Sequence, residues 1–436
     1  MVIDNVMIMK ENTSIYNKIK NTVLEWLDED KAHIVELCSE LVKRNTQDPP
    51  GDTREAMTVV KDFMEQNGLY YEVLAMREDM PNLIASQSFS SEGLHIMFNG
   101  HLDTLPAGEE PGWTDNPWSG KIADGQIWGR GSGDMKGGVT AMMFAYKYLS
   151  RLKDYLGGSV SLTLVSDEET GEGRGTGYLF SEIPERMKAD CVMSAEPSGI
   201  GAVSFASKGY IQYEVRIATP GAIGGYCNDS KSAIRIAADI MRELDRLGEI
   251  KASLPEEMAE MLSDRKWVGR HTELRGEGHA ELIGKITTDI STVSGGTIPG
   301  VIAPDCVFTA TTVIPVGTDP EDVLGRIKEI ISHYPEATVE ALDADKADWC
   351  SPFTAFSKTI QDTAEELSGI RPEMTPDIAI SDLRYWRYRG IPGYWYGPDS
   401  TKCSAANESV SIDEILHVIA VYVLTVFRLL VLPKDS

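Results

Sequence analysis

His101 and Asp103 stand two residues apart in the turn Asn99-Gly100-His101-Leu102-Asp103, directly after the apolar run 94–98. On an extended chain this spacing points both side chains to one side, so the carboxylate can receive one imidazole N–H while the other ring nitrogen binds a metal. Asp134 lies in the stretch 129–138, Gly-Arg-Gly-Ser-Gly-Asp-Met-Lys-Gly-Gly, where glycines allow close backbone approach and the acid immediately precedes a predicted helix. Glu168 and Glu169 are adjacent acids at a strand end. Neighbours there point apart, so one can bind a metal while the other faces a bound water. Glu196, between Ala195 and Pro197, follows another short apolar run. Each has a bland counterpart: a solvated turn for His101 and Asp103, a helix N-cap for Asp134, surface charge for the glutamates. Together, one imidazole and four carboxylates at successive strand ends make a donor set suited to zinc, manganese or cobalt.

The elements that must carry these residues follow from the periodicity of the apolar positions. Helical spacing predicts helices over 22–44 and 53–68, parted by the Pro-Pro-Gly break at 49–51. Strands are predicted over 70–74, 83–87, 94–98, 158–165 and 191–194, with a strong helix over 137–152 between them. Strands alternating with helices, each strand ending in polar residues, describe an α/β sheet with its site along the C-terminal edge. From residue 208 the pattern changes to strand 210–218, helix 230–247, an acidic stretch near 255–283, strands 285–293 and 306–316, and helix 320–334. This is the grammar of an inserted α+β domain. The α/β grammar resumes after about 345 with a helix over 352–368, an aromatic stretch over 382–397 and a terminal helix. The apolar run 415–432 carries His417 and Arg428 and reads as a buried helix, not a membrane span.

Composition narrows the functional classes. A chain of 436 residues is long enough for two or three domains. A formal net charge of −26 repels phosphate backbones and anionic bilayers, so neither nucleic acid nor membrane is an expected partner. The six cysteines occur singly, without a CxxC pair, and fit a reducing compartment. Residues 1–30 mix acids and lysines into their apolar positions, unlike a signal peptide, so a cytoplasmic location is expected.

The stretches 98–104 (Phe-Asn-Gly-His-Leu-Asp-Thr), 129–138, 167–171 (Asp-Glu-Glu-Thr-Gly) and 195–198 (Ala-Glu-Pro-Ser), with Lys208-Gly209 and Thr219-Pro220-Gly221-Ala222, resemble the co-catalytic zinc amidohydrolase and peptidase family that includes carboxypeptidase G, aminoacylase, acetylornithine deacetylase and succinyl-diaminopimelate desuccinylase. The resemblance covers nearly the whole chain. It implies an α/β fold in which a metal-dependent catalytic domain, with a mixed sheet flanked by helices, is formed by residues 1–207 and 343–436, with an inserted α+β lid and dimerisation domain at 208–342. It further implies that His101, Asp134 and Glu196 hold one metal, that Asp134 and Glu169 serve a second, that Asp103 orients His101, and that Glu168 is the general base.

The departures from the family pattern shape the expected substrate. Ser404 stands four residues before Glu408, where the pattern has a histidine completing the second metal site, so one tightly defined divalent ion per subunit is expected. Ile223 replaces a lid histidine that reaches a substrate carbonyl across a dimer, and Val313 occupies the place of an arginine. Arg384 is retained as a substrate carboxylate partner, or equally as an ion pair with Asp382. The region 382–396 holds six aromatics, a density that means core or interface unless one of them stacks on substrate. Cys403 beside Ser404 reads as a small buried thiol or as a replacement ligand. The expectation is a metal-dependent hydrolase of C–N bonds, working as a homodimer or higher homo-oligomer on a small molecule. The favoured substrate is a flat aromatic amine resembling nitroanthranilate, its pocket lined by Arg384, Ile223 and Ser404. The alternatives are a conventional amidohydrolase or dipeptidase and an inactive binding homologue.

Overall fold

The run 94–98 is largely apolar, and the polar positions of 158–165 are the small residues Ser159, Ser161 and Thr163, so both suit strands covered on both faces. In the computed structural model, which describes residues 2–108, 112–399 and 403–432, they form the centre of a mixed sheet. Its order is Glu72–Leu74, Asn82–Ser88, Ser159–Val165, His95–His101, Cys191–Ser194, Gly393–Trp395 and Ala202–Ser207. Asn82–Ser88 runs antiparallel to Ser159–Val165. His95–His101 is parallel to both of its neighbours, and Gly393–Trp395 is parallel to Cys191–Ser194. The register sets His101 beside Val165, so the turns after both strands leave the sheet at one edge.

Helices Gly137–Arg151 and Ile412–Leu430 bury most of their residues in this unit. Phe98 meets Tyr422 of the terminal helix with ring centroids 5.0 Å apart, and Phe63 of helix Arg54–Gln66 meets Phe144 at 5.1 Å. One helix position depends on glycine. A Cβ on Gly138 would lie 2.0 Å from the carbonyl oxygen of Ala195, so only glycine lets this helix approach the strand end that precedes Glu196. Among the described residues no helix is long and apolar enough to cross a membrane, and the terminal apolar run is a buried helix.

The chain divides into two compact units. The first comprises Met1–Phe205, Cys350–Met374 and Tyr385–Ser436; the second comprises Ala206–Trp349 and Thr375–Arg384. The second is an α+β unit: an antiparallel sheet in the order Thr287–Gly295, Asp305–Ile314, Gly209–Ala218 and Ala337–Asp345. Its core joins Tyr213, Val215 and Phe308 of the sheet to Ile236 and Ile240 of helix Ala233–Leu244 and Ile327 and Ile331 of helix Pro320–Ser332. Strand Ala337–Asp345 straddles residue 342, where the sequence suggests a boundary, and it pairs along its length with Gly209–Ala218. The acidic stretch contains three short helices, Glu256–Ser263, Arg265–Arg275 and His279–Ile283.

Candidate metal centre

Three parallel strands deliver their C-terminal turns to the same edge of the first unit. His101 ends one of them, Glu168 and Glu169 follow Val165, and Glu196 follows Ser194 two residues on. Asp134 comes from the segment Ser132–Lys136, which leads into helix Gly137–Arg151. Its backbone is extended, at φ −121° and ψ 98°, so the N-cap alternative does not apply and its carboxylate turns to His101.

The ligand atoms of His101, Asp134 and Glu196 all lie within 4.8 Å of one another. His101 Nε2 is 3.1 Å from Asp134 Oδ1 and 3.8 Å from Glu196 Oε2, and the imidazole is buried. Two carboxylates converging on one buried nitrogen make a site for a cation. Asp103 adds to this. Its Oδ2 accepts the backbone N–H groups of Glu168, at 2.9 Å, and Glu169, at 3.0 Å. Its Oδ1 is buried without a hydrogen-bond partner, 3.6 Å from His101 Nδ1. The nearer contact of Nδ1 is the backbone oxygen of Asp103, at 3.0 Å. Asp103 therefore orients His101 through its main chain, while its carboxylate fixes the two-glutamate turn. This donor set fits a divalent ion, with imidazole and carboxylates as its first ligands.

Electrostatics agree with that chemistry. Burial disfavours a charged His101, yet Asp103, Asp134 and Glu196 outweigh it and hold its pKa well above the ordinary value. For Asp134, burial raises the pKa and His101 lowers it, with a net shift downward. Glu169 lies outside the group of three. Its Oε1 accepts the N–H of Leu105 at 3.0 Å, and burial with the Asp134 carboxylate nearby pushes its pKa well up.

The residue that secures Asp134 is Glu408, which no local motif announces. Glu408 Oε1 accepts the N–H groups of Gly133, at 2.9 Å, and Asp134, at 3.1 Å. Its Oε2 pairs with Arg130 Nη1 at 2.6 Å, both side chains being buried. Arg130 Nη2 also donates to the backbone oxygen of Ser404, at 3.1 Å. Cys403 Sγ donates to Asp134 Oδ2, at 2.9 Å, and Ser404 Oγ lies 3.6 Å from that sulfur. The only advance signal for Glu408 is its place four residues after Ser404.

Of the other substrate-lining candidates, Ile223 lies in the second unit, on the two-residue strand Ala222–Ile223, and is 67% exposed. Arg384, also in the second unit, is buried, with Nε 2.9 Å from Asp345 Oδ2 and Nη1 3.5 Å from Asp382 Oδ1, the internal ion pair that was its alternative reading. The aromatics after it serve the core. Trp386 is buried and donates to the backbone oxygen of Met187, and buried Tyr396 donates to that of Ile200. In the second unit His271 and His279 face each other, Nε2 to Nδ1, at 3.0 Å.

Lys136, beside the centre, is fully buried, and its Nζ donates to the backbone oxygen of Arg44 at 2.8 Å. Burial pushes its pKa down to about 7, against the ordinary lysine value of 10.5. Between those two values the unfolded chain holds the proton and the folded chain does not, so stability rises with pH through this window. The gradient from this one group is about 1.4 kcal/mol per pH unit at its steepest. Lys136→Met is expected to remove that part of the slope between about pH 7 and 10. Urea titrations of both proteins across the range check it, and equal slopes refute it.

Residues 97–428 match the family described as peptidase family M20/M25/M40. Succinyl-diaminopimelate desuccinylase 2 of Ruegeria sp. is 24% identical over 402 residues, covering 89% of this chain and 93% of that protein. N-formyl-4-amino-5-aminomethyl-2-methylpyrimidine deformylase of Halalkalibacterium halodurans is 24% identical over 422 residues, covering 91% and 94%. Among solved structures, an M20 family metallo-carboxypeptidase from Sulfolobus solfataricus superposes with a TM-score of 0.77 at 17% identity, covering 90% of this chain and 98% of that one.

Proposed function

Because the chain belongs to peptidase family M20/M25/M40 and is a metal-dependent hydrolase of carbon–nitrogen bonds, we propose that it removes a small acyl group from the nitrogen of a compact amine, with Glu168 as general base. The observation that carries this reading is the convergence of His101, Asp134 and Glu196 within 4.8 Å, next to a turn that carries a further pair of glutamates. A divalent ion there would be held by His101, Asp134 and Glu196 and would supply Lewis acidity and a lowered pKa for water. Asp103 pins the backbone at Glu168 and Glu169, which leaves the Glu168 side chain, half-buried, to take the proton from water and return it to the leaving nitrogen. The two relatives, a desuccinylase and a deformylase by name, support a small acyl group.

The aromatic-amine reading is the second one, and Ile223 favours it. An exposed apolar side chain stands where the family pattern has a donor for a carbonyl oxygen. The buried roles of Trp386 and Tyr396 and the internal pairing of Arg384 leave it less support than an acyl substrate has. A panel of N-succinyl, N-formyl and N-acetyl amines alongside electron-poor aromatic amines separates the two. Turnover confined to the aromatic amines reverses the order, and turnover of neither class refutes both. The reading includes a homodimer or larger homo-oligomer in the cytoplasm.

The same assignment sets a metal count. One manganese ion per chain is expected to survive dialysis, and His101→Ala is expected to lose it. Ser404→His, which restores the family's late histidine, is expected to raise the count to two. Elemental analysis checks all three, and retention of the ion by His101→Ala refutes the ligand assignment.

A further inference from the structure

Residues 46–48 run beside the turn that ends in Thr104. Thr46 Oγ1 donates to the carbonyl of Leu102 at 2.7 Å, the N–H of Thr104 to that of Thr46 at 3.1 Å, and the N–H of Asp48 to that of Thr104 at 2.9 Å. The main chain of Asp48 is therefore fixed to the turn that carries His101. Its side chain is buried and reaches the other turn, with Oδ2 3.2 Å from Thr170 Oγ1. Gly51, at φ 82°, leaves room for this, since a Cβ there would lie 2.9 Å from Asp48 Oδ2. Thr170 has one hydroxyl hydrogen but faces two carboxyl groups, the second being that of Asp167, whose Oδ1 is 2.8 Å away. Asp167 is the nearer acceptor, and its Oδ2 also takes the N–H of Arg174 at 2.6 Å. With the hydroxyl hydrogen directed to Asp167, the contact with Asp48 is a hydrogen bond only when Asp48 carries a proton and donates it.

We propose that Asp48 is a positioning residue that donates its carboxyl hydrogen to Thr170 Oγ1, and so clips the turn carrying Glu168 and Glu169 to the turn carrying His101. The consequence for catalysis rests on the reading of Glu168 as general base. The surroundings favour the neutral acid. Burial, and after it the carboxylate of Asp103, raise the Asp48 pKa; Asp167 adds to this, while Thr170 and Arg174 act against it. Arg77 also faces Asp48 and pairs with Asp79, and Arg174 pairs with Glu172. Once its proton leaves, Asp48 is a further carboxylate beside Asp103 and Asp167, repelled by both and with no hydrogen for Thr170. The clip thus loosens as pH rises, opposite to the direction in which a general base gains activity.

Three variants of the full-length protein test this. Asp48→Asn keeps an N–H for Thr170 Oγ1 at every pH, Asp48→Leu has no donor, and Thr170→Val has no acceptor. Infrared difference spectra between parent and Asp48→Asn isolate the Asp48 carboxyl, whose protonated band is expected to persist above the ordinary aspartate pKa of about 3.9. Hydrogen exchange read on a peptide spanning 166–174, at a pH where that band is present, is expected to be faster in Asp48→Leu and Thr170→Val and unchanged in Asp48→Asn. Should Asp48→Leu not fold, Thr170→Val carries the same comparison. With the N-acyl amine that the panel selects, kcat is expected to fall roughly 10- to 100-fold in Asp48→Leu and Thr170→Val, with KM little changed. The ratio of the Asp48→Asn kcat to the parent's is expected to rise with pH. A band that has vanished by the ordinary aspartate range overturns the proposal, as does Asp48→Asn exchanging as fast as Asp48→Leu. Faster exchange in Asp48→Leu beside a fully active Glu168→Gln keeps the clip and overturns Glu168 as the base.

Discussion

On the proposed role of Glu168, Glu168→Gln is expected to lower turnover by roughly 100- to 10,000-fold, the usual contribution of a positioned general base, and to leave metal binding intact. The amide preserves the shape and hydrogen-bonding reach of the carboxylate but cannot accept a proton from water. Its backbone is unaffected, because the N–H of residue 168 still donates to Asp103 Oδ2. The loss therefore falls on kcat, with KM little changed, since the group acts on the proton in flight and not on bound substrate. Steady-state kinetics on whichever N-acyl amine the panel selects, together with metal analysis of the variant, check this. A variant that keeps more than a few per cent of the parent's rate, with its metal intact, would show that the base is another residue.

Glu408→Ala destabilises the protein by about 3–5 kcal/mol, the range for removing one partner of a buried ion pair. Arg130 is buried, and without Glu408 its Nη1 loses its 2.6 Å partner in a place water does not reach. The N–H groups of Gly133 and Asp134 lose their acceptor in the same step. Two effects follow from the one change: a lower urea midpoint, and a weaker hold on metal because Asp134 is no longer fixed in its extended geometry. Glu408→Gln keeps an acceptor oxygen and should recover part of both. Equal urea midpoints for parent and Glu408→Ala would rule out this account of the ion pair.

Much of the first unit was legible in the chain because its buried strands are short, largely apolar runs and the candidate ligands sit at their ends. Strand Cys191–Ser194 and the start of helix Gly137–Arg151 fall where periodicity puts them. The turns that follow bring His101, Asp134 and Glu196 together. What local pattern could not show was support that crosses hundreds of residues. Glu408 reaches Asp134 across a sequence separation of 274 residues, and its place four residues after Ser404 does not reveal that partner. Strand Ala337–Asp345 was missed for a different reason. It is an exposed edge strand whose sequence, ATVEALDAD, has no buried face strong enough to announce itself. The aromatic stretch reads as core or interface from its density, and Trp386 and Tyr396 are buried with their polar atoms on backbone carbonyls. At Asp103 the main-chain oxygen lies 3.0 Å from the imidazole and the carboxylate 3.6 Å, a difference that the spacing of the two residues does not reveal.

Gly393–Trp395 enters the sheet between Cys191–Ser194 and Ala202–Ser207, although nearly two hundred residues separate it from either neighbour in the chain. During synthesis, all the ligands of the group of three leave the ribosome long before the strand that completes their sheet, and before Glu408, which steadies Asp134. A nascent chain halted at residue 390 thus carries the whole ligand set on a scaffold with an open interior seam. Such a seam invites pairing with other chains.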